Sequence, residues 1–260
     1  MLTPKQIEDP RSRVVDEAAE NESGKSLESM ITDAFAALSG RLQLGKNLAI
    51  AIACPDDGRG HRLHAAEARL LSPHACRKRA VNWTLGRIAA SRALKQLGFE
   101  DPPPVLRGDA GEPLWPVGIS GSITHRYPWS VAVAAEASSN ALAVGIDLES
   151  LEGFEEDDMS NLICRKSELE WVRGARDFKE RLAMLFSAKE ALYKSLFPFL
   201  RRYVDFREVE LAWSPGRSCF YALALPSDAI GLDRGFVISS RRLRHWIFSC
   251  SLCESKSFAT

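Results

Sequence analysis

The order of periodicities along the chain constrains its fold most: a strand, then helices, then strands, then helices, then strands again. Asn47–Ala53 (NLAIAIA) reads as a buried strand and His61–Leu71 as helical, interrupted at Ser72-Pro73. Arg79–Leu97 reads as a longer helix closed by Gly98, followed by the extended loop Asp101-Pro102-Pro103-Pro104. Trp129–Ala135 and Ala141–Leu148 are β-rich and separated by Ser138, Ser139 and Asn140. Short helices are predicted near Asn161–Cys164 and Ser167–Val172. A long one starts with the capping-box-like Asp177-Phe178-Lys179-Glu180, runs to about Leu196 and ends at Pro198. Segments 207–213, 218–225, 236–240 and 245–252 read as strands. This alternation predicts two α+β units, 46–140 and 141–255. Ahead of them, residues 1–45 hold a polar tail and an extra helix over Ser26–Leu38, with Leu27, Met30, Ile31, Ala34 and Leu38 at helical spacing.

Composition then removes whole classes. Of 260 residues, 45% are hydrophobic and 26% charged, the mix of a soluble globular chain. No apolar run approaches the length of a membrane span, and the N-terminus lacks a signal-peptide core. Six cysteines are too sparse for a disulfide framework, and Cys250-x-x-Cys253 lies on a strand, where residues three apart face opposite ways; thiols in a reducing cytoplasm are expected. Lys+Arg and Asp+Glu both number 34, so no global field draws the chain to nucleic acid. The charge is nonetheless segregated. Arg62–Arg107 carries nine basic residues against three acidic ones, and Asp147–Glu180 eleven acidic against five basic.

Four segments carry chemistry-bearing residues. In Gly145-Ile146-Asp147-Leu148-Glu149, strand parity puts Asp147 and Glu149 on one face, where a hard cation such as Mg²⁺ would relieve their repulsion. In Phe186-Ser187-Ala188-Lys189-Glu190-Ala191-Leu192-Tyr193-Lys194, Glu190 and Lys194 share a helix face, and two lysines flank the carboxylate. Gly121-Ser122-Ile123-Thr124-His125 reads as a small-residue turn ahead of a strand, able to offer N–H groups and hydroxyls to an anion. Arg77-Lys78-Arg79 with Gly86-Arg87 puts Arg79 and Arg87 about two helical turns apart, so that both forks could address one polyanion. Each segment alone equally suits an ordinary surface: water-facing acids, an i,i+4 pair, a loop histidine, a solvated basic face.

Taken together and in order, the blocks R-K-R-x5-G-R-I-A-A, P-x-W-P, G-S-I-T-H, G-I-D-L-E and F-S-A-K-E-x3-K resemble the 4′-phosphopantetheinyl transferases. The likeness is greatest to the branch of enterobactin synthase component D, and it spans roughly residues 64–195. The resemblance implies two similar α+β halves related by a pseudo-twofold; with the thiols and the charge balance, the expectation is a cytoplasmic enzyme without nucleic-acid partners, taken as a monomer. Such an enzyme moves phosphopantetheine from coenzyme A to a serine of an apo carrier protein of siderophore or other nonribosomal peptide synthesis. Fatty-acid and polyketide carriers also stay open, and a non-catalytic CoA- or carrier-binding protein with the same fold is the alternative. Matched residue by residue, Asp147, Glu149 and Glu190 would hold Mg²⁺, with Glu190 also the candidate base for the carrier serine, directly or through water. Lys189 and Lys194 would contact the phosphates, and Thr124, His125, Arg79 and Arg87 would grip CoA. Gly111–Pro116 would line the adenine. Thr124 stands where the family usually has serine, and Arg126-Tyr127-Pro128-Trp129 is bulkier than the pattern.

Overall fold

A computed structural model describes residues 25–41, 47–136, 143–154, 159–229 and 234–255. The expected tail over 1–24, the junction 137–142 with its loop residues and the 140/141 division, and residues 155–158 of the acidic run lie outside the described residues.

The chain begins with α1 (Leu27–Arg41), β1 (Leu48–Ala53), α2 (Ala65–Arg69), α3 (Arg77–Gln96), the short strands β2 (Leu106–Arg107) and β3 (Pro113–Leu114), then β4 (Ile119–Arg126) and β5 (Trp129–Glu136). An antiparallel sheet forms in the order β1-β5-β4. Strand parity divides its side chains between two cores. Ala49, Ala51, Ala53, Ala132 and Ala134 face α3, and their small size lets Leu85, Ile88, Ala89, Ala93 and Leu94 of that helix pack closely. Ile50, Ile52, Val131 and Val133 face the other way.

The second half holds β6 (Ala143–Ser150), α4 (Met159–Ile163), α5 (Lys166–Arg173), α6 (Phe178–Leu200), a 3-10 turn at Phe206–Glu208, β7 (Glu210–Ser214), β8 (Cys219–Ala224), β9 (Arg234–Leu243) and β10 (Trp246–Ser255). Its sheet has the order β6-β10-β9-β8-β7, with α6 laid on one face through Leu182, Leu185, Leu192 and Leu196. The opposite face supplies Val144, Ile146, Leu148, Trp246 and Phe248 to a central core. Ile50, Ile52, Val131 and Val133 of the first sheet, and Leu27, Ile31 and Phe35 of α1, complete that core. Each half is thus a long helix on an antiparallel sheet, and the fold is α+β.

Glycine enables the tightest of these contacts. A Cβ at Gly145 would lie 1.9 Å from the Ala191 carbonyl oxygen, so only glycine lets β6 approach α6 so closely.

Three expectations are corrected. Gly121–His125 is not a turn but the middle of β4, in antiparallel register with β5, so alternate amides of the segment serve that ladder rather than an anion-binding turn. Pro198 does not end α6, which runs on to Leu200 and stops where Arg201 turns left-handed at φ 49°. The helix expected over His61–Leu71 is only Ala65–Arg69.

Candidate active site

The two sheets meet along their edge strands, β4 and β6, and the joint is made by side chains. Ser122 Oγ accepts from the Ile146 amide at 3.1 Å, and Thr124 Oγ1 accepts from the Leu148 amide at 3.2 Å. Alternate hydroxyls of one strand thereby take the place that ladder carbonyls would have, and satisfy the buried edge of the other.

At this joint β6 turns Asp147 and Glu149 to the side that Gly145 shares with α6, as strand parity predicts. Lys194 of α6 donates to Asp147 Oδ1 at 2.8 Å and to the Ile146 carbonyl at 3.0 Å, and Thr124 Oγ1 donates to the same Oδ1 at 3.2 Å. Asp147 is 5% exposed, and its Oδ2 is buried without a hydrogen-bond partner. Glu149 lies 3.5 Å from the Arg126 guanidinium. Burial pushes Glu149 up to about 7, with Asp147 adding to the rise while Arg126 and Lys194 oppose it. Burial also raises Glu190, against the pull of Lys194 and with the push of Asp147. His125 is lowered by burial first, then by Lys194, while Asp147 opposes the drop.

Cations of the first half reach the same place. Arg87 and Lys78 both act on His125. Arg87 is 7% exposed, stacks 3.8 Å above the Trp83 ring and leaves its Nε buried without a partner. Burial lowers its pKa to about 10, with Arg107 adding to the drop and Glu67 opposing it.

Both halves match models of one family. Residues 66–135 match the 4′-phosphopantetheinyl transferase N-terminal domain, and residues 143–248 the 4′-phosphopantetheinyl transferase superfamily. The transferase Npt of Nocardia iowensis is 30% identical over 58% of this chain and 67% of its own length. The chain belongs to the 4′-phosphopantetheinyl transferase family.

Two further relatives are the transferase Svp of Streptomyces mobaraensis, 35% identical over 59% of this chain, and enterobactin synthase component D of Salmonella typhi, 32% identical over 52%. The matches cover 63% and 62% of those two relatives' lengths. Among solved structures, the holo-[acyl-carrier-protein] synthase of Neisseria meningitidis is similar over 44% of this chain and 98% of its own. Its TM-score is 0.38 and its identity 20%.

Of the transferase residues expected from sequence, the structure gathers Asp147, Glu149, Glu190, Lys194, His125 and Arg87. Arg79 is exposed in the first turn of α3, beside Lys78 of the same basic segment. The Gly111–Pro116 stretch belongs to the β2–β3 hairpin. Gly111 turns there at φ 95° against Arg107, and Trp115 packs under Gly121.

Two expected phosphate contacts are corrected. Thr124 is 4% exposed, with its hydroxyl committed to Asp147 and to the Leu148 amide, because even-numbered positions of β4 face β6. Lys189 is fully buried on another side of α6. Its ammonium donates to Glu168 at 2.8 Å and to the carbonyls of Ile163, Phe206 and Val209 at 2.7–3.1 Å. Glu168 in turn accepts from the amides of Arg165 at 2.6 Å and Leu211 at 2.7 Å. The signal for this was present: residues 182, 185, 189, 192 and 196 form one i, i+3, i+4 stripe, with Lys189 in its middle.

Among the described residues no group of three His, Cys, Asp or Glu side chains is set to hold a metal ion. The donor set nevertheless fits a hard divalent cation: all-oxygen ligands, an unpartnered buried Asp147 oxygen, and two carboxylates, Glu149 and Glu190, whose negative charge burial and Asp147 disfavour and a cation would offset. No described helix is long and apolar enough to cross a membrane.

Proposed function

We propose that this chain transfers the 4′-phosphopantetheine group of coenzyme A to a serine of an apo carrier protein, releasing adenosine 3′,5′-bisphosphate. The observation that carries the proposal is the convergence of Asp147, Glu149, Glu190, Lys194 and His125 at the β4–β6 joint of a chain of this family. Mg²⁺, held by Asp147, Glu149 and Glu190, would supply charge neutralisation at the CoA pyrophosphate.

The chain's own residues do the rest. Lys194, anchored on Asp147 and the Ile146 carbonyl, presents a fixed positive charge to the reacting phosphate. Glu190, raised by burial, takes the proton of the carrier serine hydroxyl as that oxygen attacks phosphorus. His125 and Arg87 hold phosphate oxygens from the N-terminal half, and the β2–β3 hairpin borders the adenine. The first turn of α3 holds Arg77, Lys78 and Arg79 without one acidic residue. Three cations at the positive end of a helix repel one another and the dipole, an arrangement that an anion such as the CoA 3′-phosphate relieves.

Resemblance to the enterobactin branch favours carriers of siderophore or other nonribosomal peptide assembly as partners, with the protein acting as a cytoplasmic monomer. The thiols of Cys54, Cys76, Cys164, Cys219 and Cys250 are free, which suits that compartment.

The test is to combine the protein with CoA, Mg²⁺ and apo carriers of nonribosomal peptide, polyketide and fatty-acid type, then weigh each carrier. A phosphopantetheine mass gain on at least one is expected, and none on any of them overturns the proposal. Asp147→Ala and Glu190→Ala are expected to lower the rate by about 10²-fold or more.

A further inference from the structure

We infer that Arg126 is a resident counter-cation of Glu149 that a divalent ion must displace, so that this arginine sets how tightly the chain holds its metal. The inference rests on the metal-binding part of the proposed function and adds to it a residue that the family pattern does not assign.

Both strand carboxylates already carry a cation, and the two pairings differ in kind. Lys194 sits 2.8 Å from Asp147 Oδ1, is braced by the Ile146 carbonyl at 3.0 Å, and leaves Asp147 Oδ2 unpartnered for another ligand role. The closest approach of Arg126 to Glu149, Nε to Oε2, is 3.5 Å, too long for a good hydrogen bond, and its side chain is 41% exposed against 16% for Glu149. The Asp147 pairing is built in; the Glu149 pairing is loose and half in water.

Position makes Arg126 a standing competitor. It is the last residue of β4 and pairs with Trp129 across the two-residue connection Tyr127-Pro128, so its backbone is pinned by the ladder. It comes from the N-terminal half and Glu149 from the C-terminal half, so the pair spans the joint beside Asp147. A guanidinium does not lose its proton, and a divalent cation arriving at Glu149 meets a positive charge that can only swing away. Swinging away is open to Arg126 because of its exposure. It is closed to Lys194, which is doubly bonded.

The test measures metal affinity directly. Mn²⁺ alone, without CoA or carrier, is titrated into metal-free protein, with free Mn²⁺ read by electron paramagnetic resonance. Arg126→Gln and Arg126→Ala are expected to bind Mn²⁺ about two- to five-fold more tightly than the parent, the range that one partly exposed ion pair commands. Arg126→Lys, which keeps the charge, is expected to match the parent. Unchanged or weaker Mn²⁺ binding in both neutral variants, with circular dichroism showing them folded, overturns the inference. Weakened CoA binding with unchanged Mn²⁺ binding overturns it also, and assigns Arg126 to a phosphate. A parent protein that binds no Mn²⁺ at all removes the metal reading itself, and the inference with it.

Discussion

Lys189→Met separates two meanings of one lysine. If the side chain touched a phosphate, its loss would leave the fold intact and weaken CoA. The structure instead buries its ammonium completely, with Glu168 and three carbonyls around it. Methionine keeps the length and apolar stem but leaves Glu168 as a buried carboxylate without its cation, and leaves the Ile163, Phe206 and Val209 carbonyls without their donor. Breaking a buried pair from one side costs about 3–5 kcal/mol. For a chain of this size, where 1 kcal/mol moves Tm by about 2–4 °C, the expected drop is roughly 6–20 °C. The assay is thermal and urea unfolding followed by circular dichroism, run on Lys189→Met, Glu168→Met and the double variant. Once both charges are gone neither is stranded, so the double variant is expected to be less destabilised than the sum of the singles, by up to about 3 kcal/mol. A Lys189→Met protein with the parent's Tm but a raised KM for CoA would refute the reasoning and restore the phosphate contact.

Three further outcomes follow from the joint. Thr124→Val keeps the shape but strands the Leu148 amide, costing about 1–3 kcal/mol in urea unfolding, whereas Thr124→Ser recovers most of it. Gly145→Ala forces a methyl group to within 1.9 Å of the Ala191 carbonyl oxygen and 2.7 Å of the Ser195 nitrogen, both backbone atoms. A loss of about 1–3 kcal/mol or more is expected in thermal unfolding, as for other overpacked sites. Glu149 is raised by burial and Asp147 to about 7, so between its ordinary range and pH 7 the native state holds a proton that the unfolded chain has released. By linkage its contribution to stability falls as pH rises through that window. Stability–pH curves of the metal-free protein should therefore be flatter for Glu149→Gln than for the parent.

Much of this was readable from residue order because it depends on parity. Asp147 and Glu149 share a face on any strand, and the apolar partners Ile146 and Leu148 fix which face that is. The failures have equally physical sources. Gly121 and Ser122 have weak strand preference, so the sequence of β4 suggests a turn. What makes it a strand is its ladder with β5 and the use of two hydroxyls as acceptors for β6, neither of which is a local property. Lys189 was assigned by motif when its own periodicity placed it among Leu182, Leu185, Leu192 and Leu196. A charged residue on an apolar stripe signals a buried partner. Here that partner is Glu168, 21 residues upstream on a different helix. Pro198 suggests a stop in the sequence, but α6 carries it two residues from its end, at the loss of one i→i−4 amide bond, and closes with the left-handed Arg201.

The joint also explains why the site cannot be assigned to either half. Asp147 Oδ1 is held by Thr124 from the N-terminal sheet and by Lys194 from the C-terminal helix, so the position of that carboxylate depends on how the halves dock. The docking in turn depends on a core that both sheets line and that α1 completes, with α1 packing on β1 of one half and β9 of the other. Leu27, Ile31 and Phe35 are each 4% exposed or less, so the helix outside the resemblance is a clamp across the two halves rather than an appendage. A perturbation of α1 should therefore reach Asp147 through the core without touching it. The geometry of the carboxylates is a property of the whole two-sheet assembly.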